Sequence, residues 1–476
     1  MAIAVLLLSH FGRYAYLRLT VEPPLSEQAA FADATDPGPP EPDDVTAELG
    51  QLVLTLTEQV PFDLPSVPAG MKWQWHRQET PEYLAVGDIT RGWWKPVDRP
   101  HLRAVIAHLG DNLTRERLAA LHALSGRPWQ YDFFRSDEPR YAGLEMWKRY
   151  SAIVLLAADA RYQHAERGDL AAAWQDLKTA IWLSQPDEPE SALGVILQLS
   201  HARLFLSELQ QMSREHAPDK ALVAEIDAAL RAWSPLRETW RAAVIHEEAM
   251  IQRTIDTCFT RDQHGQGWYV VSRQQNRLLA VIPRSFAQHP LWNLASACYS
   301  DRRTVEAKRA RYFDALRQLV DLTYADARTS IDRLGLRDGP FCSVDGAVLK
   351  GLCTPALVQA YCQLLATHAE IDATRLALAL GRCRSERGKY PESLAELVPA
   401  YMSALPLDPF GDAPFLYRRY GEAYVLYSRG PDGDDDGGAA PSPGGRRVDD
   451  CDLVYSGPRR DPMCEPRLVP MDGGPQ

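Results

Sequence analysis

The sequence predicts a mainly α protein: a multi-helix body of packed helical hairpins that ends in a small C-terminal α+β domain. Three observations carry that reading. From about Leu102 to Gly388, apolar residues recur at helical spacing, as in Leu102, Val105, Ile106 and Leu109, in Leu155, Ala158 and Tyr162, and in Leu222, Ile226, Ala229 and Leu230. Glycine and proline punctuate this region at Gly126-Arg127-Pro128, Gly168-Asp169, Pro186–Pro189, Ala217-Pro218, Gly265–Gly267, Leu334-Gly335 and Gly339-Pro340. After Gly388 the period shortens towards two, in Phe415–Tyr420 and Ala423–Tyr427.

The elements follow in order. Residues 1–20 begin with the apolar run Ala2–Leu8, which is too short to cross a bilayer but has the length of a signal-peptide core. It reads as part of a signal or membrane anchor, or else as a buried N-terminal element; we take the export reading. Residues 21–70 are rich in proline and acid (Pro23, Pro24, Pro37, Pro39, Pro40, Pro42, Asp43, Asp44) and read as a linker, with one amphipathic piece from Val45 to Val60. Residues 71–354 are the helical domain. Its entrance carries Trp73, Trp75, Tyr83, Trp93 and Trp94, which read as loop aromatics packed on a helical body. Asp169 and Pro218-Asp219 are helix starts. Ala165–Trp174 looks like one turn of a tetratricopeptide-type helix pair, without a second copy.

Composition narrows the function classes. With 476 residues, 45% hydrophobic and 24% charged, the chain is long enough for two or three domains with a real core. The net charge of −11 and the lack of a basic patch argue against nucleic acid. Arg302, Arg303, Lys308, Arg309 and Arg311 alternate with Glu306 and Asp314, as on a solvated helix face. Eight cysteines occur without a CxxC, which disfavours a zinc ribbon or thioredoxin-type site. Those in helices read as small buried hydrophobes, and Cys451 and Cys464 flank a tail where a disulfide would help most.

No catalytic motif stands out. His246-Glu247-Glu248-Ala249-Met250 opens like a zinc-protease helix, but Met250 occupies the place of the second histidine. Glu247 and Glu248 read as a solvated or internally paired face. There is no GxSxG, P-loop or dinucleotide fingerprint.

Residues 355–460 are the most specific part. A helix from about Pro355 to Arg387 presents Leu376, Leu380 and Cys383 for packing and ends at Gly388. Pro391 opens a short Glu392–Val398 helix, Pro406 and Pro409 bracket Asp408, and Gly421-Glu422 turns a hairpin. Then come Asp432, Asp434, Asp435 and Asp436, the pair Gly437-Gly438, and Asp449-Asp450-Cys451-Asp452. Such carboxylates on a glycine-permitted loop suit calcium. The loop is no EF-hand, since Pro443 stands where the bidentate Glu is required. Residues 461–476 are a tail.

This order of elements, over residues 372–455, resembles the globular domain of the major pseudopilin of type II secretion systems. The whole chain looks similar to membrane-anchored bacterial envelope proteins with a long helical segment before such a module. The resemblance implies that Asp432, Asp449 and Asp450 ligate calcium, with Asp434, Asp436 and Asp452 as alternates. The insertion Ala439–Val448 departs from the pattern, and Met1–Gly12 lacks the glutamate that pseudopilin assembly uses. The expectation is therefore a non-enzymatic, structural or interaction protein. It would sit in the cell envelope, inner-membrane anchored or exported to the periplasmic side, with envelope proteins as partners. The alternatives are a hydrolase with its site in a cleft of the helical domain, and a peptide-binding helical scaffold near Ala165–Ile181.

Overall fold

A computed structural model describes residues 44–58, 112–128, 139–185, 192–216, 218–233, 236–261, 264–269, 299–336, 339–342, 345, 349, 356–411, 413–435, 437–438 and 453–455. The N-terminal apolar run, most of the 21–70 segment, the Trp73–Trp94 aromatics and the 461–476 tail lie outside them. The described helices are α1 (Asp44–Glu58), α2 (Asn112–Leu124), α3 (Pro139–Glu166), α4 (Leu170–Leu183), α5 (Ala192–Glu215), α6 (Lys220–Ala232), α7 (Leu236–Cys258), α8 (Arg302–Gln318), α9 (Tyr324–Leu334) and α10 (Ala356–Arg387). The described strands are β1 (Leu407–Asp408), β2 (Ala413–Pro414), β3 (Leu416–Tyr420), β4 (Ala423–Ser428) and β5 (Leu453–Val454). β1 pairs with β2, and β3-β4-β5 form an antiparallel sheet. The mainly α architecture with a small C-terminal sheet is the one the periodicity predicts. No described helix is long and apolar enough to cross a membrane.

The chain divides into two compact units that do not follow chain order. One holds residues 187–199 and 235–365; the other holds residues 44–186, 200–234 and 366–476. Helices α5 and α10 contribute residues to each.

In the first unit, α7 and α8 lie side by side. Trp240 is fully buried, donates from Nε1 to the carbonyl of Leu316 at 2.8 Å, and packs on Tyr361. The basic run departs from expectation here. Arg302 is only 1% exposed and pairs with Asp256 and Glu306, while Lys308 reaches the buried Asp345 at 2.7 Å. Arg309 pairs with Glu248 and Gln252, and Arg317 with Glu248. Only Arg303 and Arg311 are exposed. The run is thus largely engaged in ion pairs, with Asp256 and Glu248 on α7, with the buried Asp345 and with Glu306 on α8 itself. Glu248 is thereby an internally paired residue.

In the second unit, α3 is the central helix. Every residue from Ala152 to Arg161 is buried, so the helix is enclosed on all sides rather than along one stripe. α4 returns antiparallel after Gly168, whose φ of +66° closes the turn. Asp169 caps α4 by accepting from Ala172 N at 2.9 Å, and Asp219 caps α6 by accepting from Leu222 N at 2.8 Å. Each such cap contributes about 1 kcal/mol.

Helix α5 meets α10 across 164 residues of sequence. Gln210 Nε2 donates to Thr374 Oγ1 at 2.9 Å, and Ser213 Oγ donates to the carbonyl of Ala377 at 3.1 Å. Gly381 sits at the closest approach, where an added Cβ would lie 2.8 Å from Ser213 Oγ and 2.9 Å from its carbonyl oxygen. Leu376, Leu380 and Cys383 are all buried, as the helix pattern predicts.

The C-terminal module hangs on the end of α10. Gly388 ends the helix at φ +74°, with its N–H on the Arg384 carbonyl. The short helix is a correction: it is one 3-10 turn, Leu394–Leu397, preceded by Ser393. Glu396 Oε1 reaches back to the N–H groups of Glu392 and Ser393, so a capping carboxylate, not Pro391, starts it. Tyr417 OH donates to the Pro391 carbonyl, and Tyr390 meets Tyr424 edge-on at 4.8 Å. The cysteine expectation holds for Cys258 and Cys383, which are buried, but Cys342 is exposed and Cys362 half-buried.

Two glycines test this packing with opposite signs. Gly381→Val should destabilise the protein by about 2–3 kcal/mol, since neither helix backbone can yield freely. Gly50→Ala, in α1 with nothing within 4 Å of the added methyl, should stabilise by about 0.5–1 kcal/mol. Urea denaturation followed by circular dichroism measures both; an unchanged midpoint for Gly381→Val would refute the close crossing.

Candidate metal sites

The acidic loop leaves β4 at Ser428. Just before it, the buried Asp408 on β1 organises the base of the loop. Its Oδ1 accepts from Phe410 N at 3.0 Å and from Ser428 Oγ at 2.8 Å, and its Oδ2 accepts from Arg429 N at 3.3 Å. Burial pushes the Asp408 carboxyl above its ordinary range, against these hydrogen bonds. Pro406 and Pro409 keep this segment extended, which lets Asp408 face the end of β4.

Beyond Ser428, Asp432 and Asp434 lie together. Burial and the Asp434 charge both raise the Asp432 carboxyl. Asp435 is engaged otherwise: its Oδ1 accepts from Tyr427 OH at 3.1 Å and from Gly437 N at 2.9 Å. The loop thus folds back over β4. Gly438, at φ +80°, sits where an added Cβ would be 3.0 Å from Val425 Cγ1 and 3.2 Å from Tyr427 Cδ1. Gly438 serves close approach as well as its backbone angle, whereas Gly437, at φ +73°, has open space around it and serves its angle alone. Asp436, Asp449, Asp450 and Asp452 lie outside the described residues. Leu453 pairs with Ser428 across β4–β5, so the stretch from 429 to 452 begins and ends at adjacent positions on one sheet edge.

A second cluster forms where α3 and α5 end. It brings together Arg161, His164, Glu208, Glu215 and His216. His164 is fully buried between two carboxylates: its Nε2 is 3.5 Å from Glu208 Oε2, and its Nδ1 is 3.5 Å from Glu215 Oε2. Arg161 lies 3.7 Å from Glu208 and 3.4 Å from Glu215. His216 meets His164 edge-on with ring centroids 5.5 Å apart. Burial lowers the His216 pKa, with His164 acting in the same direction. Sequence inspection missed this cluster because its members share no motif. The one available signal is on α5, where His201, Glu208 and Glu215 fall on one face together with Phe205 and Met212.

A third polar cluster shares a proton. Thr179 Oγ1 donates to the Gln175 carbonyl at 2.9 Å, so it accepts from His122 Nδ1 at 2.8 Å. His122 Nε2 then faces Asp176 Oδ1 at 2.9 Å. Burial pushes Asp176 up to about 7; the neighbouring Asp159 adds to the rise, and His122 and Arg115 oppose it. Asp159 itself is held by Arg115 at 2.5 and 2.8 Å.

No family model, curated protein or solved structure matches the chain.

The Asp176 environment sets a pH dependence. A folded pKa above the unfolded value means stability that is present below about pH 4 and lost as pH rises through about 7. Asp176→Asn removes that loss. Relative to wild type, the variant should gain on the order of 2–4 kcal/mol between pH 4 and pH 8. Denaturation midpoints across that range measure it, and parallel curves for the two proteins would refute the assignment.

Proposed function

We propose that this chain is a non-enzymatic protein of the cell envelope with a structural or protein-interaction role, and that its C-terminal hairpin and acidic loop bind calcium. The observation that supports this reading best is the closure of the acidic stretch by the Ser428–Leu453 pairing. Asp432 and Asp434 stand just after its first end, and Asp449, Asp450 and Asp452 just before its second. Calcium takes six to eight hard oxygens from such loops, carboxylates and carbonyls alike. Asp432, Asp449 and Asp450 would hold it, with Asp434, Asp436 and Asp452 as alternates. The ion would supply charge compensation, and the raised Asp432 carboxyl marks where compensation is needed. The resemblance of residues 372–455 to the major pseudopilin domain belongs to the same reading, as do envelope partners and attachment through residues 1–20. Nucleic acid is not a partner. A hydrolase is the second reading, favoured by the buried histidine–carboxylate cluster.

Calcium in excess of its dissociation constant stabilises by RT ln(1 + [Ca]/Kd), about 2.7 kcal/mol at a hundredfold excess. An affinity on the order of 10⁻⁴ M is expected for a site of extracellular type. Millimolar calcium should therefore raise the melting temperature of the full chain, and magnesium should do so much less. Asp432→Ala and Asp450→Ala should abolish the rise, whereas Asp461→Ala should leave it. A calcium-independent melting curve together with a flat calorimetric titration would overturn the calcium assignment. For location, a phosphatase reporter fused after residue 70 should be active only outside the cytoplasm; an inactive, stably produced fusion would count against export.

A further inference from the structure

We propose that His164, Glu215 and His216 form a binding site for one divalent transition metal of the zinc class. One nitrogen from each histidine and one carboxylate oxygen of Glu215 lie within 4.8 Å of one another. All three residues belong to one compact unit.

The argument rests on how each residue is held. His164 turns Nε2 towards Glu208, which leaves Nδ1 facing Glu215 Oε2 at 3.5 Å with no hydrogen-bond partner. Glu215 has its other oxygen occupied: Oε1 accepts from Gln211 Nε2 at 2.6 Å and faces Arg161 at 3.4 Å. The His216 ring donates to the backbone carbonyl of His164, and its Nε2 has no partner. Three convergent ligand atoms therefore each have an outer group that orients the other end of the side chain. Carboxylate- and carbonyl-backed histidines of this kind are the usual support of a metal centre.

A plain ion-pair network accounts for the cluster less well. Glu208 and Glu215 carry two negative charges, and Arg161 supplies one positive charge. Arg161 alone therefore does not balance both carboxylates, and His164 Nδ1 and His216 Nε2 are buried without a hydrogen-bond partner. Glu208 Oε1 and the Arg161 Nε are also left without hydrogen bonds, and unmade bonds of buried polar atoms are costly. A dication at the Nδ1–Oε2–Nε2 centre gives both unpartnered imidazole nitrogens and the second Glu215 oxygen a partner.

The ligand set selects the metal. Two imidazoles and one carboxylate suit zinc and its neighbours, not calcium or magnesium, which take oxygen shells. Zinc bonds of about 2.0–2.1 Å place tetrahedral ligand atoms about 3.4 Å apart. The His164–Glu215 separation already meets that, and the His216 ring has up to about 1.4 Å to close. Glu215 is 37% exposed, so a fourth position opens to water. A metal there joins the last turn of α3 to the last turn of α5.

The test uses the full chain, stripped with chelator and titrated with zinc by calorimetry, with cobalt(II) absorption as the geometric readout. We expect one zinc per chain, a zinc-dependent rise in melting temperature, and an intense visible cobalt spectrum of a low-coordinate site. His216→Gln and Glu215→Gln, both at the rim and tolerant of change, should abolish the cobalt spectrum. Glu208→Gln should weaken zinc about 10–100-fold while keeping the spectrum, as expected for an orienting group. Cys342→Ser and Asp432→Ala should leave zinc binding intact, which separates this site from an exposed thiol and from the calcium loop. Absence of one-to-one zinc binding to the wild-type protein would overturn the proposal, as would binding that survives Glu215→Gln and His216→Gln or is lost with Cys342→Ser.

Discussion

The second unit depends on the place where α5 and α10 touch. At Gly381 the two helices approach to backbone distance, close enough that one methyl group would collide with Ser213. The Ser213 hydroxyl then bonds the Ala377 carbonyl, and Gln210 bonds Thr374 one turn earlier. These contacts fix the register of helix segments 164 residues apart in sequence. From that register follow two further placements. The end of α5 brings Glu215 and His216 against His164. The end of α10 carries the capped turn, the hairpin and the acidic loop.

Charge inside the helical unit is the second organising constraint. The chain has a surplus of acid, yet its buried charges are arranged in compensated groups: Arg115 with Asp159, Arg161 with Glu208 and Glu215, Arg375 with Asp227 and Asp372. Such pairs contribute little net stability, because desolvation offsets most of the attraction. Breaking one is costly, since the partner is stranded. Their effect is therefore to penalise wrong helix registers. The α3–α5 cluster differs from these in also holding two histidine ring nitrogens without hydrogen-bond partners, which is the feature the metal proposal uses.

The C-terminal module combines rigidity and closure. Asp408 is fixed by three hydrogen bonds at the loop base, Gly438 lies on Val425 and Tyr427, and β5 returns the chain to β4. A loop so anchored at both ends loses less entropy on binding an ion than a free acidic tail would. The calcium reading draws on that physical property together with the resemblance. The two proposed sites differ in chemistry, oxygen-only at the surface loop and nitrogen-rich at the helix ends.

The sequence by itself determined what depends on near neighbours. Asp169 and Asp219 cap helices through N–H groups three residues away, Gly168 and Gly388 stop helices by their own backbone angles, and Gly421-Glu422 turns the hairpin. The long helix to Arg387, its buried Leu376, Leu380 and Cys383, and the candidate loop around Asp432 were legible for the same reason. Tertiary structure alone decided the rest. Arg302 reads as a solvated charge, yet packing buries it against α7, where Asp256, 46 residues away, meets it at the surface. His164 and Glu208 are 44 residues apart, with no spacing that announces them, and only helix packing puts them 3.5 Å from each other. Local signals act over three or four bonds of the hydrogen-bond ladder, whereas a buried site is assembled by which faces of distant helices exclude water together.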